Sequence, residues 1–215
     1  MTHPDHPPPM EASQIAVAIV LLAAGRSRRA LAGGGHKLLA VFDGVPLVRR
    51  SACIATRSQA SSTVVVTGDR KAEIEMALKG LDIGLAHNPD YSFGMAGSLI
   101  AGISAAQARQ SDGVLVMLAD MPAITSHHLD VLISCFQQEG GKVIVRATSG
   151  GLPGNPVVLP SRLYESIRLL RGDVGARKII QVSGLKIIDI ELGNAARLDV
   201  DTPEAVAAAG GTFNG

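Results

Sequence analysis

Cations and glycines crowd one short stretch of this sequence. Arg26, Arg28 and Arg29 follow Gly25 at once, and Gly33, Gly34 and Gly35 lead to Lys37. Glycine lets a backbone approach a ligand closely, and backbone N–H groups flanked by cations suit the oxygens of a polyphosphate. Far along the chain, Asp120 closes an apolar run, and Asp199 and Asp201 precede Thr202-Pro203. Mg2+ takes one or two protein carboxylates and fills its shell with phosphate oxygens and water. A glycine turn, cations and two carboxylates together point to phosphoryl or nucleotidyl chemistry, an in-line attack on an α-phosphate with pyrophosphate leaving. A phosphate monoester, with a second pKa of about 6, needs no strong base to act as the nucleophile. No histidine is therefore given a catalytic role. His36 is expected in a solvent-open loop or against phosphate, and His127 and His128 in the first turn of a helix. Neither common phosphate motif is present: Leu38 follows Lys37 where GxxxxGK[ST] needs Ser or Thr, and residues 26–29 hold no glycine for GxGxxG.

These residues must be positioned by the elements around them. Residues 15–23 are apolar and rich in β-branched side chains, the pattern of a strand buried on both faces of a parallel sheet. Further strands are expected at 62–67, 83–87, 114–119, 143–147, 156–159, 186–191 and 197–200. Helices are expected at 45–60 with Pro46 in the first turn, 71–78, 98–109, from Thr125 or Ser126 to 138, 161–170 and 175–182. A last helix is capped by Thr202 with Pro203 at its first position. Residues 149–155 read as a flexible loop. The alternation predicts an α/β sandwich with a mainly parallel sheet. Ligands in such sheets bind at the carboxyl ends of strands. The 25–37 loop, Asp120 and Asp201 all fall at such ends. Asp199 shares a strand side with Asp201, and Asp201 is preferred as the ligand because it lies nearer the strand end.

With 215 residues the chain suits one domain, assigned to 15–210, between a proline-rich tail at 1–14 and a short tail at 211–215. The hydrophobic fraction is 47% with only 3% aromatic, so the core must be built from Ala, Val, Leu and Ile. A net charge of +1 argues against a nucleic-acid partner. Cys53 and Cys135 form no CxxC pair and are expected to be free thiols in a reduced cytoplasm. The apolar run near residue 20 is half a membrane span, and no membrane partner is expected.

The series LLAAGRSRR…K, FGMAGSL, LADMP, GLPGNPVVL, GDVGARKI and DVDTPEA resembles the nucleotidyltransferases of molybdenum cofactor maturation, and most of all the cytidylyltransferases. The resemblance runs in order from about residue 17 to 206. It implies a Rossmann-like three-layer fold of the nucleotide-diphospho-sugar transferase type. It also implies transfer of CMP from CTP to molybdenum–molybdopterin with Mg2+, and leaves room for a recipient molybdoenzyme apoprotein as partner. By position it implies that Ala23, Ala24, Gly25, Arg26 and Ser27 line the nucleotide, and that Arg29 and Lys37 hold its phosphates. Gly94, Met95 and Ser98 would lie near the base, and Asp120 and Asp201 would bind Mg2+. Gly151, Gly154, Asn155 and Pro156, with Asp173 and Arg177, would face the pterin. Relatives using GTP tend to carry LAGG, so Ala24 favours CTP. Three features depart from the family: Ala30-Leu31 replaces Met-Gly, the Gly25-to-Lys37 segment is longer, and Asn155 stands where His is frequent. Two other readings fit part of the pattern: a nucleotidyltransferase using GTP or another phosphate monoester, and a non-catalytic cofactor carrier.

Overall fold

The computed structural model describes residues 15–27 and 35–213. The first apolar run is β1 (Val17–Ala23). Its side chains alternate between two cores: Val17, Ile19, Leu21 and Ala23 enter one, Ala18 and Val20 the other. A strand covered on both faces is apolar at every position, which is why the sequence shows a continuous run rather than alternation. The chain continues through β2 (Val41–Phe42), β3 (Val45–Pro46), α1 (Leu47–Thr56), β4 (Ser62–Thr67), α2 (Lys71–Ala77) and β5 (Gly84–His87). Next come α3 (Met95–Gln107), β6 (Gly113–Leu118), α4 (Ser126–Gln138), β7 (Ile144–Ser149) and β8 (Leu152–Pro160). The order closes with α5 (Tyr164–Arg168), α6 (Ala176–Val182), β9 (Ile187–Glu191), α7 (Pro203–Ala208) and β10 (Gly211–Thr212).

Seven strands form the main sheet in the order β5-β4-β1-β6-β8-β7-β9. β8 runs antiparallel to both neighbours; every other pairing in this sheet is parallel. One face is covered through Val48 and Ala52 of α1, Ile74 of α2 and Leu129, Ile133 and Phe136 of α4. The other is covered through Leu99 and Ile103 of α3, Tyr164 and Ile167 of α5 and Ile179 and Ile180 of α6. This is the expected Rossmann-like α/β sandwich, with one strand reversed. Helix α3 sits close on the sheet because it turns Gly102 inward; a Cβ there would lie 2.3 Å from Val20 Cγ1. Thr125 caps α4 by accepting from the His128 N–H, and Thr202 caps α7 by accepting from the Ala205 N–H at 3.2 Å. Both caps are as the sequence predicts.

Four segments differ from expectation. Val45–Pro46 form strand β3, so Pro46 precedes α1 instead of lying in its first turn. Residues 149–155 are a hairpin rather than a loop: Gly150 and Gly151, at φ of 57° and 75°, make the turn, and Leu152 already pairs with Ser149. Two adjacent residues with positive φ match the twist of a two-residue hairpin. A register shift between Arg146 and Thr148 accommodates the proline-bearing start of β8. Residues 197–200 are not a strand. They follow a 3-10 turn at Gly193–Ala196, and the Leu198 N–H bonds back to the Asn194 carbonyl at 2.9 Å, continuing the turn instead of joining a ladder. Gly211–Thr212, assigned by the sequence to a tail, pair with β2 in a small sheet of order β10-β2-β3. That sheet shares a separate cluster of Ala40, Phe42, Leu47, Val200 and Val206. Among the described residues no helix is long and apolar enough to cross a membrane.

Candidate active site

β1 and β6 pair in parallel from Val17 with Gly113 to Leu22 with Leu118. The glycine turn after β1 and Asp120 after β6 therefore open on the same edge of the sheet. Asp201 reaches this edge through Val200, whose N–H donates to the Asp120 carbonyl at 3.0 Å and whose side chain is buried in the small cluster. Lys37 arrives from the far end of the glycine stretch. Its own N–H donates to Ser27 Oγ at 3.1 Å, and the next N–H, of Leu38, donates to His36 Nδ1 at 3.3 Å.

The three meet. Lys37 Nζ lies 2.5 Å from Asp120 Oδ2 and 2.5 Å from Asp201 Oδ1. Asp199 joins them, so that each of three carboxylates offers an oxygen within 4.8 Å of the others. Asp120 Oδ1 is buried and, among the described residues, has no hydrogen-bond partner. Burial opposes the charge on Lys37, but the Asp120 and Asp201 carboxylates outweigh it and raise its pKa above the usual lysine value. Burial, then repulsion from Asp120 and Asp201, raises that of Asp199 above the usual carboxylate range.

A pocket of about 560 Å3 opens over this cluster, lined also by Ala24, Gly25 and Arg26 and by Tyr91, Gly94, Met95 and Ser98. The Arg26 guanidinium lies over the Tyr91 ring, 5.4 Å from its centroid, a geometry that holds a cation in place without a carboxylate. Asp120, Asp173, Asp199 and Asp201 line the same pocket against the cations of Arg26 and Lys37. Lined that way, it would repel a polyphosphate on its own. An all-oxygen donor set, an orphaned buried carboxylate oxygen and an ammonium already bridging two carboxylates fit a hard divalent cation.

A second pocket of about 270 Å3 shares Leu22, Met95 and Leu118 with the first. It has apolar walls from Leu99, Val116, Val157 and Ile180, and polar groups from Arg146, Asn155, Arg177 and Gln181. Arg146 is held there by a bidentate pair with Asp189, at 2.8 and 3.0 Å. Glu191 fixes the hairpin above this pocket. Its carboxylate accepts from the N–H groups of Gly150, Gly151 and Gly193 at 2.9, 3.2 and 3.1 Å and from the Thr148 hydroxyl at 3.0 Å. The Gly150 and Gly151 N–H groups chiefly hold its pKa below the usual value. A lowered folded-state pKa gives stabilisation that is complete above the unfolded value, about 4.3, and is lost as pH falls through the folded value. Glu191→Ala is therefore expected to speed amide exchange at Gly150 and Gly151 at pH 7, while wild-type protection fades only in acid. Unchanged exchange in the variant would show that the carboxylate does not hold the turn.

Of the residues singled out from the sequence, Ala24, Gly25, Arg26, Lys37, Gly94, Met95, Ser98, Asp120 and Asp201 line the first pocket. Gly154, Asn155 and Arg177 line the second. Others are placed differently. Ala23 is buried in the core behind β1, and Ser27 supports Lys37 from behind. Gly151 forms the hairpin turn, and Pro156 is buried in β8 after a cis peptide bond. Asp173 faces the first pocket, where its carboxylate accepts from the Met95 N–H at 3.4 Å. Arg28 and Arg29 lie outside the described residues. His36 is no open loop residue: it is 1% exposed, and burial holds its pKa below the usual histidine value. Tyr91, Arg146 and Gln181 were missed. Tyr91 carried a signal, as a rare aromatic in a glycine-rich turn, and so did Arg146, a lone charge in an apolar strand.

The mainly parallel seven-stranded sheet, flanked by helices on both faces, matches the nucleotide-diphospho-sugar transferase type of α/β fold. The chain belongs to the MobA-like NTP transferase domain family, whose model matches residues 19–188. It is 28% identical over 200 residues to the purine catabolism protein PucB of Bacillus subtilis, covering 86% of this chain and 91% of that one. The fold is similar to that of Rv0371c from Mycobacterium tuberculosis, with a TM-score of 0.79 at 20% identity over 91% of this chain and 98% of that one. Rv0371c is also known as a complex with manganese. A nucleotidyl transferase from Methanothermobacter gives a TM-score of 0.76 at 21% identity over 91% and 96% of the two chains.

Proposed function

We propose that this protein transfers CMP from CTP to the terminal phosphate of molybdenum–molybdopterin, releases pyrophosphate, and uses Mg2+. The observation that carries the reading is the meeting of Lys37, Asp120 and Asp201 beside the glycine turn, at the edge where such folds bind ligands. Two adjoining pockets, one acidic and one apolar with polar groups in its lining, suit two substrates joined at their boundary. The acceptor phosphate oxygen forms a bond to the α-phosphorus of CTP, and the bond from that phosphorus to the bridging oxygen of pyrophosphate breaks. When bound, the divalent cation supplies charge neutralisation between the triphosphate and the carboxylates. Arg26, Lys37 and the N–H groups of the glycine turn orient the phosphates, with Arg29 proposed to assist. Ala24 lines the first pocket, and by the resemblance its methyl favours the smaller cytosine over guanine. Arg177 and Asn155 are proposed to engage the acceptor, and the protein to act in the cytoplasm and to pass its product to a molybdoenzyme apoprotein.

The test is pyrophosphate release with molybdenum–molybdopterin and Mg2+, with CTP and GTP offered in parallel. Release with CTP alone is expected. Release with GTP alone would refute the reading of Ala24 while keeping the reaction type. No release with either nucleotide, alongside retained pterin binding, would favour a cofactor carrier.

A further inference from the structure

We infer that Lys37 is a resident counter-ion that a divalent cation must displace from between Asp120 and Asp201, so that metal and nucleotide bind this protein cooperatively. The inference rests on the reading of the acidic cluster as a metal site. Its ground is geometric. The Lys37 ammonium stands 2.5 Å from one oxygen of each carboxylate, and Asp199 offers a third oxygen within 4.8 Å. Mg2+ holds carboxylate oxygens at about 2.1 Å. An ion reaching the same two oxygens takes the position of the ammonium, and two cations that close repel each other.

The backbone of Lys37 does not move in this exchange. Its N–H is bonded to Ser27 Oγ at 3.1 Å, and Leu38 beside it is buried. Displacement is thus a rotation of the side chain, and the pocket sets where it goes. The same pocket is lined by Ala24, Gly25 and Arg26, a backbone turn and a cation suited to phosphates. The Lys37 side chain is only 12% exposed. Without nucleotide, eviction strips a poorly solvated ammonium of its anionic partners, which opposes metal binding. With a triphosphate in place, phosphate oxygens receive it through charge-assisted hydrogen bonds. Each ligand then raises the affinity of the other by the same factor.

The experiment is Mn2+ binding followed by electron paramagnetic resonance of the free ion, without and with CTP, with the nucleotide's own Mn2+ affinity taken from a protein-free titration. Wild type is expected to bind Mn2+ weakly alone and about tenfold or more tightly with CTP. Lys37→Met and Lys37→Gln are expected to bind Mn2+ alone about tenfold more tightly than wild type, and to lose most of the CTP effect. Lys37→Arg keeps a competing charge and stays at or below the wild-type affinity. Melting curves confirm that each variant is folded. Equal or weaker Mn2+ binding by folded Lys37→Met and Lys37→Gln overturns the inference. A separate outcome bears on the site itself: if Lys37→Met with Asp120→Asn binds Mn2+ as tightly as Lys37→Met alone, the ion sits elsewhere, and the metal reading fails rather than the role of the lysine.

Discussion

Asp120→Asn is expected to lower pyrophosphate release by about 10^2–10^3-fold, the scale of losing one preorganised electrostatic group. The substitution keeps the shape of the side chain and removes its charge. Asp120 Oδ2 is bound to Lys37, while Oδ1 is buried without a partner among the described residues, and a divalent cation would satisfy both the charge and that oxygen. The loss should fall on kcat and on Mn2+ affinity together. The fold should survive, because the Asp120 carbonyl that receives the Val200 N–H is unchanged. Full activity in the variant would refute the assignment of Asp120 to the metal. A large fall in melting temperature would instead mark the carboxylate as structural.

Gly94→Ala carries the second large effect, on both nucleotide affinity and stability. Gly94 has a φ of +119°, which a residue with a Cβ rarely adopts. A Cβ there would also lie 2.4 Å from both the carbonyl carbon and the oxygen of Gly172 and 2.5 Å from the Asp173 nitrogen. All are backbone atoms and cannot swing away. Strain and clash together should cost about 2–5 kcal/mol, a fall in melting temperature of about 5–15 °C for a chain of this size. The repair must shift either the start of α3, with Met95 and Ser98, or the Gly172-Asp173 turn, and all three of Met95, Ser98 and Asp173 line the first pocket. CTP binding should therefore weaken by about tenfold or more. Gly80→Ala separates the causes: it has a φ of +85° but open space around its Cβ position, so it should show the strain alone, about 1 kcal/mol, with no change in nucleotide affinity.

The sequence was most legible where one local cause decides the outcome. A continuous apolar run such as 17–23 has few ways to be buried, and it became the central strand. Thr125 and Thr202 sit before helices with free N–H groups to satisfy, and each caps its helix. Asp120 was legible because a charge following an apolar strand demands a partner; Asp201 was singled out as the end of a strand that does not form, and it reaches Lys37 through the Val200 bond to Asp120 instead. The sequence did not show where turns lead. Gly150-Gly151 and the prolines after them suggested a loop, yet positive φ at both glycines makes a hairpin. Val200 looked like part of a strand from its composition, but its place is set by one bond to Asp120 and by packing against Phe42 and Val206, partners remote in sequence. The same holds for Asp173, whose side depends on the close approach of Gly94 to Gly172. His36 shows the limit of polarity as a guide: it is buried with Nδ1 accepting the Leu38 N–H, while Nε2 has no hydrogen-bond partner among the described residues and lies 3.9 Å from the Asp69 carboxylate.

The small sheet has a consequence for the order of events on the ribosome. Asp120 is made well before Asp201, and the segment bearing Asp201 is pinned by Val200 and by the pairing of β10 with β2. A nascent chain that ends before residue 200 can build most of the main sheet and the glycine turn, yet it leaves the Lys37 ammonium with one fewer carboxylate. Strand β10, made well after β2, returns to pair with it and holds the segment that carries Asp201 in place. A growing chain would thus place the glycine turn and Asp120 early, and the second carboxylate beside Lys37 only after residue 201 has been added.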